Sequence, residues 1–447
     1  MATTNRAERP IKPLFPQLTG GPSRMKPDQV ARHQKARLQG AMIAAVARHG
    51  FASTTLRELV TLAGVSKSTF YEHFESKEAC FLSTFDLIVD QLTAEVRRAY
   101  EEPEDFREKL TAALRRYMQL VLDEPDAASF ASIDVLTLGS AGVSHRERSW
   151  EPFEEIAREH FASSGQTGNA LDLTVRAVIA GISGVVYRRL RAGKAEELPD
   201  LVEPLIDWAL SYPPEDSEPV LTAMRAAEAP APPPPVDPER EGLPDWSEPP
   251  DSPRSRSSLS QRERIIRAAA RVVVDRGYDA LSIPAISAAA GTSNQTFYEN
   301  FNSKRDAFLA AYEMAAADAL RVSLAAFNGA PAGPEAIGIG LRALLEYISS
   351  HELYARLAFF ELPTAGPPAL DRADRTMNLL TSFLEPERAP KGIGGPAPRV
   401  MLEATGAGIW SVVQREIAHG RRETLPQLSP ELTRIALAPL NAHARQR

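Results

Sequence analysis

Residues 64–77 read GVSKSTFYEHFESK, and residues 291–304 read GTSNQTFYENFNSK. Gly64, Ser66, Thr69, Phe70, Tyr71, Glu72, Phe74, Ser76 and Lys77 recur unchanged at an offset of 227 residues, 291 against 64. Solenoid repeats fall at roughly 20–50 residues, so this offset marks a duplicated domain. Within the motif, Gly64 supplies a tight turn and Ser66 the N-cap of the helix that follows. Val65 before the cap and Phe70 four residues after it have the spacing of a hydrophobic staple. Upstream, Thr55 and Glu58 have capping-box spacing and open a short helix from Leu56 to Ala63. Two short helices joined by a glycine-containing turn make a helix-turn-helix, whose second helix meets base edges in the DNA major groove.

The register holds well outside the motif. Leu38, Ala41, Met42, Ala45 and Val46 follow helical spacing, and their counterparts Ile265, Ala268, Ala269, Val272 and Val273 are all apolar. At the far end Gly181, Val185, Val186, Arg188, Gly193 and Leu198 match Gly408, Val412, Val413, Arg415, Gly420 and Leu425. One offset at both ends implies two whole copies. Strand-like alternation is absent, and alanine-, leucine- and arginine-rich stretches are broken by Gly and Pro, so both copies are expected to be all-α.

Composition narrows the class. A chain of 447 residues supports two or more domains. A single cysteine, Cys80, rules out a disulfide framework and fits a reducing cytoplasm. No apolar run is read as a membrane span, the richest being Leu173 to Val186 with Arg176 inside it. No apolar leader stands at the N-terminus, so secretion is not expected. The net charge of −7 argues against a protein that coats nucleic acid through bulk positive charge. There is no phosphate-cradling glycine loop, metal cluster or nucleophile motif, so neither an enzyme nor a cofactor is expected.

The charges within the motif carry information. Lys67 lies in the first turn of the second helix and Lys77 opens the next one, where the helix dipole disfavours cations. DNA phosphate held between helix N-terminus and lysine would explain both placements. Tyr71 and His73 add a hydroxyl and an imidazole to that surface, while Phe70 and Phe74 point inward.

With Ala-x-x-Gly-Phe and Thr-x-x-Glu-Leu upstream, the motif resembles the DNA-binding domain of the TetR/AcrR family of bacterial transcription regulators. The resemblance implies that Thr55, Tyr71, His73 and Lys77 hold phosphates, beside the Ser66 cap, and that Lys67, Ser68 and Thr69 face bases. In the second copy the phosphate set is Ser282, Tyr298, Asn300 and Lys304, beside the Ser293 cap, and the base-facing set is Asn294, Gln295 and Thr296. Asn and Gln pair bidentately with adenine whereas Lys prefers guanine acceptors, so the copies should read different half-sites. The second copy departs from the pattern at Thr292, Asn300 and Pro284.

The resemblance further implies a small-molecule pocket in each helical body and a pairing role for its last two helices, about 170–192 with 197–212 and 397–420 with 425–441. Tyr117, Phe130, Trp150, Phe161, Tyr347, Tyr354, Phe359, Phe360 and Trp410 are pocket candidates, though large apolar residues at helical spacing also make ordinary core. The expected division is a flexible basic arm at 1–31, helix-turn-helix domains at 32–82 and 259–309, helical regulatory domains at 83–213 and 310–447, and a proline-rich acidic linker at 214–258. The expected partners are a double-stranded DNA operator, an unknown small-molecule effector and the other copy, as an intramolecular pseudo-dimer. A homodimer of chains is the alternative arrangement, and no membrane is involved. The functional expectation is a ligand-controlled repressor. The competing expectation is a helical ligand-binding or scaffolding protein whose helix-turn-helices no longer bind DNA.

Overall fold

The computed structural model describes residues 26–163, 167–212, 260–331, 335–382 and 398–445, and these contain helices and turns but no strand. Most of the basic arm and all of the acidic linker lie outside them. Contacts divide the chain into two compact units, Met1–Pro152 with Val186–Val202 and Phe153–Val185 with Glu203–Arg447. The division does not follow the duplication: the closing helices of the first copy are shared out, and much of them belongs to the second unit.

The first unit runs α1 (Pro27–His49), α2 (Leu56–Ala63), α3 (Lys67–His73), α4 (Lys77–Glu101), α5 (Phe106–Asp123), α6 (Pro125–Ser132), a 3-10 segment (Asp134–Leu138) and α7 (Gly139–Arg148). Helix α1 begins inside the stretch expected as an arm, with proline in its first turn where the missing N–H does no harm. Its expected apolar stripe is buried: Leu38, Met42 and Ala45 have no exposed surface. Phe81 of α4 anchors this core, stacking on Phe130 at 4.0 Å and meeting Phe51 edge-on at 5.0 Å. Cys80 beside it is a packing residue, as expected, and burial pushes its thiol up to about 12.

The second unit takes in most of α8 (Glu151–Ser163), of α9 (Gly168–Arg191) and of α10 (Val202–Ala209) of the first copy. The second copy then supplies α11 (Gln261–Arg276), α12 (Ile283–Ala290), α13 (Asn294–Asn300), α14 (Lys304–Gly329) and α15 (Glu335–Ser350). It continues through α16 (Glu352–Arg356), a π-helical turn (Leu357–Glu361), α17 (Pro367–Thr381), α18 (Arg399–Ala418) and α19 (Ser429–Arg445). Ile265, Ala268, Ala269 and Val273 on α11 are fully buried, matching the α1 stripe. Pro284 sits in the first turn of α12, as its position in the sequence implies.

Helix α9 needs a correction. By length and composition 168–191, like 125–148, is apolar enough to cross a membrane. Its apolar side chains have another destination, since Leu173, Val175, Ala177, Val178, Ala180 and Val185 are all buried in the protein. Part of that burial is against the second copy. A Cβ at Gly181 would lie 2.6 Å from the Ala404 carbonyl oxygen, and one at Gly408 would lie 2.5 Å from that of Ala177. Ala404 and Gly408 are the counterparts of Ala177 and Gly181, so the two contacts are reciprocal, as in an isologous interface. Trp208 Nε1 donates to Thr405 Oγ1 at 2.9 Å, and Tyr212 Oη donates to the Ile435 carbonyl at 3.0 Å. Gly406, two residues from Gly408, instead faces Thr381 of its own copy.

Candidate nucleic-acid interface and ligand cavity

The two helix-turn-helices are built alike. Thr55 caps α2 by accepting from the Glu58 N–H, and Ser282 caps α12 by accepting from the Ala285 N–H. The expected capping box is only half made, because the Glu58 carboxylate reaches His49 Nε2 at 3.0 Å instead. Gly64 and Gly291 end these helices in the left-handed region, at φ 59° and 61°, where a side chain would be strained. Ser66 then accepts from the Thr69 N–H and Ser293 from the Thr296 N–H, both at 3.0 Å, starting α3 and α13. Phe70 and Phe297 are buried beneath.

Each recognition helix turns its expected reading residues outward. Ser66, Lys67, Ser68 and Tyr71 are exposed, as are Ser293, Asn294, Gln295 and Tyr298, while Thr69 and Thr296 are half-buried. The Lys67 ammonium lies 5.9 Å from the Tyr71 ring centre. Ser68 and Thr69 hydroxyls both meet Ser66 Oγ, at 2.7 and 2.9 Å. Gln295 Nε2 donates to Glu299 Oε1 at 3.2 Å, which holds its amide along the helix. His73 is half-buried with Nε2 3.5 Å from Gln34 Oε1, and Asn300 Nδ2 donates back to the Thr296 carbonyl at 2.8 Å.

Lys77 and Lys304 require a different account from the one their helix positions suggest. Lys77 Nζ donates to the Phe51 and Thr54 carbonyls, both at 2.9 Å, and lies 4.3 Å from the Phe51 ring centre. Lys304 Nζ donates to the Leu281 carbonyl at 2.7 Å and lies 5.2 Å from the Tyr278 ring centre. These carbonyls compensate the cation at the helix start, so the lysines are no independent argument for phosphate. They tie the loop after the first helix of each domain to the fourth.

Two further pairs of cations escape the motif-based reading. Arg264 donates through Nε and Nη2 to the Ala290 carbonyl at 3.1 and 2.8 Å, and through Nη2 to that of Gly291 at 2.8 Å. Its counterpart Arg37 donates to the Gly64 carbonyl at 3.2 Å. Both fasten the first helix to the turn that aims the recognition helix. Lys35 lies over Phe74 and Arg262 over Phe301, at 5.7 and 4.4 Å from the ring centres. The signal was the recurrence of a cation at each of these positions with the 227-residue offset.

The body of the second copy forms an apolar cavity of about 90 Å³ that is partly open to the surface. Leu344, Leu345, Ile348, Tyr354, Phe359 and Trp410 form much of its wall, and among the described residues no charged side chain lines it. Ser323 Oγ donates to the Gly340 carbonyl and Thr381 Oγ1 to those of Met377 and Asn378, so their hydroxyls are already engaged. Three of the aromatic pocket candidates, Tyr354, Phe359 and Trp410, stand in this wall. Phe130 instead belongs to the stacked core of the first unit.

Two helix-turn-helices, each followed by a helical body, define a tandem helix-turn-helix protein. The sequence pattern described as "Bacterial regulatory proteins, tetR family" matches at residues 42–84 and again at 265–311. An uncharacterized HTH-type transcriptional regulator of Bacillus subtilis, YerO, is 35% identical over 69 residues, 15% of this chain and 24% of its own. The HTH-type transcriptional activator FasR of Mycolicibacterium smegmatis is 33% identical over 72 residues, 16% of this chain and 33% of its own. The chain thus spans about a quarter to a third of the length of these curated relatives. Among solved structures, the regulator FadR of Bacillus subtilis in complex with stearoyl-CoA aligns with 39% of this chain and 97% of its own, at 17% identity and a TM-score of 0.36. The chain carries the DNA-binding domain of the TetR family of bacterial regulatory proteins twice, at residues 42–84 and 265–311.

Proposed function

We propose that the chain is a cytoplasmic, sequence-specific DNA-binding transcriptional repressor with two reading heads on one polypeptide. In this reading the helix-turn-helix domains at 32–82 and 259–309 bind an operator, and a small molecule in the helical bodies controls release. Ser66, Lys67, Ser68, Thr69 and Tyr71, with Ser293, Asn294, Gln295, Thr296 and Tyr298, form the reading face. Thr55, His73 and Lys77, with Ser282, Asn300 and Lys304, flank it.

The observation that carries this reading is the matched exposure of Tyr71 and Tyr298, 53% and 61%. Burying a large apolar side chain is worth about 1.5–3 kcal/mol, so a ring left in water at the same place in both copies calls for a partner. On DNA the ring packs on the sugar–phosphate edge while the hydroxyl donates to a phosphate oxygen. The pairing of α9 and α10 with α18 and α19 supports the intramolecular pseudo-dimer.

Selection of bound duplexes from a random pool, followed by mobility shifts at two salt concentrations, tests the proposal. Recovery of one sequence is expected, with log affinity falling linearly in log salt at about −0.9 per phosphate neutralised. Failure to retain any duplex at low salt would leave the scaffolding alternative.

A further inference from the structure

The turn Leu357–Glu361 touches two places at once. Phe359 is buried, lines the apolar cavity and stacks on Trp410 with ring centres 4.0 Å apart. Its carbonyl accepts from Gln414 Nε2 at 2.8 Å. Two residues on, Glu361 Oε2 accepts from the backbone N–H of Tyr278, at 3.1 Å, at the foot of α11. That amide lies in the second helix-turn-helix domain, in the loop between α11 and α12, and the Tyr278 ring also carries the Lys304 ammonium. One short segment therefore joins the cavity wall to the DNA-binding domain. It is π-helical, a rare conformation whose hydrogen bonds span one residue more than those of an α-helix and which is found frequently at functional sites.

Size and polarity restrict what the cavity takes. A dry apolar cavity of roughly 150 Å³ holds one benzene, and sites for larger ligands run to roughly 300–1,000 Å³. At about 90 Å³ the cavity is smaller than either, so a molecule held wholly within it has to push its wall outward. A charged group buried against this lining would go unpaired, which excludes it from the cavity itself.

Resting on the ligand-control reading above, we propose that the cavity takes an uncharged apolar molecule, or the hydrocarbon part of a larger one, and that filling it displaces Phe359 and withdraws Glu361 from the Tyr278 amide. Binding energy reaches the helix-turn-helix because the ligand favours the form in which this strut is broken. Burial raises the Glu361 carboxyl above its ordinary range, in keeping with a group held partly out of water by the amide it accepts from.

The test uses the full chain, N-phenyl-1-naphthylamine as an uncharged probe, and no DNA, so failure of the operator reading leaves its outcome intact. Probe fluorescence reports binding, and hydrogen exchange reports the Tyr278 amide. The expected result is saturable binding with exchange at Tyr278 faster by about tenfold, the scale of an ordinary allosteric coupling. Glu361→Ala should exchange fast with or without probe, while Glu361→Gln, which keeps an acceptor oxygen, should restore the response. Leu344→Trp should abolish binding, and Phe359→Ala, which enlarges the space, should tighten it. No binding, binding indifferent to both cavity variants, or binding that leaves Tyr278 exchange unchanged would each overturn the proposal.

Discussion

Gly408 lies directly against the backbone of Ala177, so that a methyl group on Gly408 would stand 2.5 Å from the Ala177 carbonyl oxygen. The reciprocal contact of Gly181 with Ala404 makes this a two-fold pairing inside one chain. Gly408→Val is therefore expected to force α9 and α18 apart and lower stability by about 1–3 kcal/mol, the usual range for overpacking. Urea unfolding measures it. The same pairing predicts a monomer of 48.8 kDa by light scattering for the unaltered chain, because its pairing helices already have partners. A stable dimer of chains would count against that arrangement.

Thr405 tests the polar side of the same contact. Replacing it with Val keeps the shape but leaves the buried Trp208 N–H without its acceptor. An unsatisfied buried donor costs about 1–3 kcal/mol, so Thr405→Val should destabilise by that amount. Trp208→Phe also opens a cavity in the core, so the double variant Trp208→Phe with Thr405→Val should be less stable than either single one but lose less than the sum of the two. A double-mutant cycle by urea unfolding reads the coupling, and strictly additive losses would speak against the bond.

Lys77 separates folding from recognition. Lys77→Met retains packing over the Phe51 ring but leaves the Phe51 and Thr54 carbonyls without their shared donor. A loss of about 1–3 kcal/mol in stability is expected, measured by chemical unfolding. Tyr71→Ala on the exposed face should stay within about 0.5 kcal/mol of the parent and weaken DNA binding instead. Equal stability effects from the two substitutions would contradict this division.

Why the first of these roles is hidden in the sequence is a matter of distance along the chain. Ser66, Gly64 and Thr55 are legible because a cap or a turn is satisfied within three or four residues, and the offset of 227 lends each a second instance. Lys77 is not, because its carbonyl partners lie 26 and 23 residues away and only folding delivers them. Glu58 shows the same limit at shorter range, being drawn from its expected cap to His49. The sharing of α9 and α10 with the second copy is illegible for another reason: an apolar helix face reads the same whether its partner is another chain or the same one. The cavity wall was foreseen only as a set of candidate aromatics. Tyr354 follows Tyr347 at a helical spacing of seven residues, yet Tyr354 lines the cavity whereas Tyr347 stacks on His351 and donates to Asp318.

Acid should loosen the end of α18 in a predictable direction. Arg421 donates to both oxygens of Glu416, at 2.7 and 2.8 Å, and this bond holds the Glu416 carboxyl below its ordinary value of 4.5. A depressed folded-state value means the ion pair stabilises fully above the unfolded value, and its contribution disappears as pH falls through the folded one. The urea midpoint of the parent should thus fall more steeply than that of Glu416→Gln between about pH 5 and pH 3, and the two should converge at the acid end. Parallel curves would show that the pair adds nothing to stability.

The last prediction concerns the difference between the two reading faces. Lys67 and Ser68 occupy the exposed start of α3, where α13 presents Asn294 and Gln295, with Thr69 and Thr296 common to both. Lysine donates to guanine acceptors, whereas the amides pair with adenine, each good pair discriminating by about 1–3 kcal/mol. The duplexes selected by the parent should therefore hold two unlike half-sites. The double substitution Lys67→Asn with Ser68→Gln makes the base-facing residues of the two helices identical. Duplexes selected by that variant should drift toward a palindrome, the adenine-containing half-site replacing the other. If the variant keeps selecting the parent's asymmetric sequence, these positions do not read bases, and the asymmetry must come from residues such as His73 and Asn300 at the far end of the same helices.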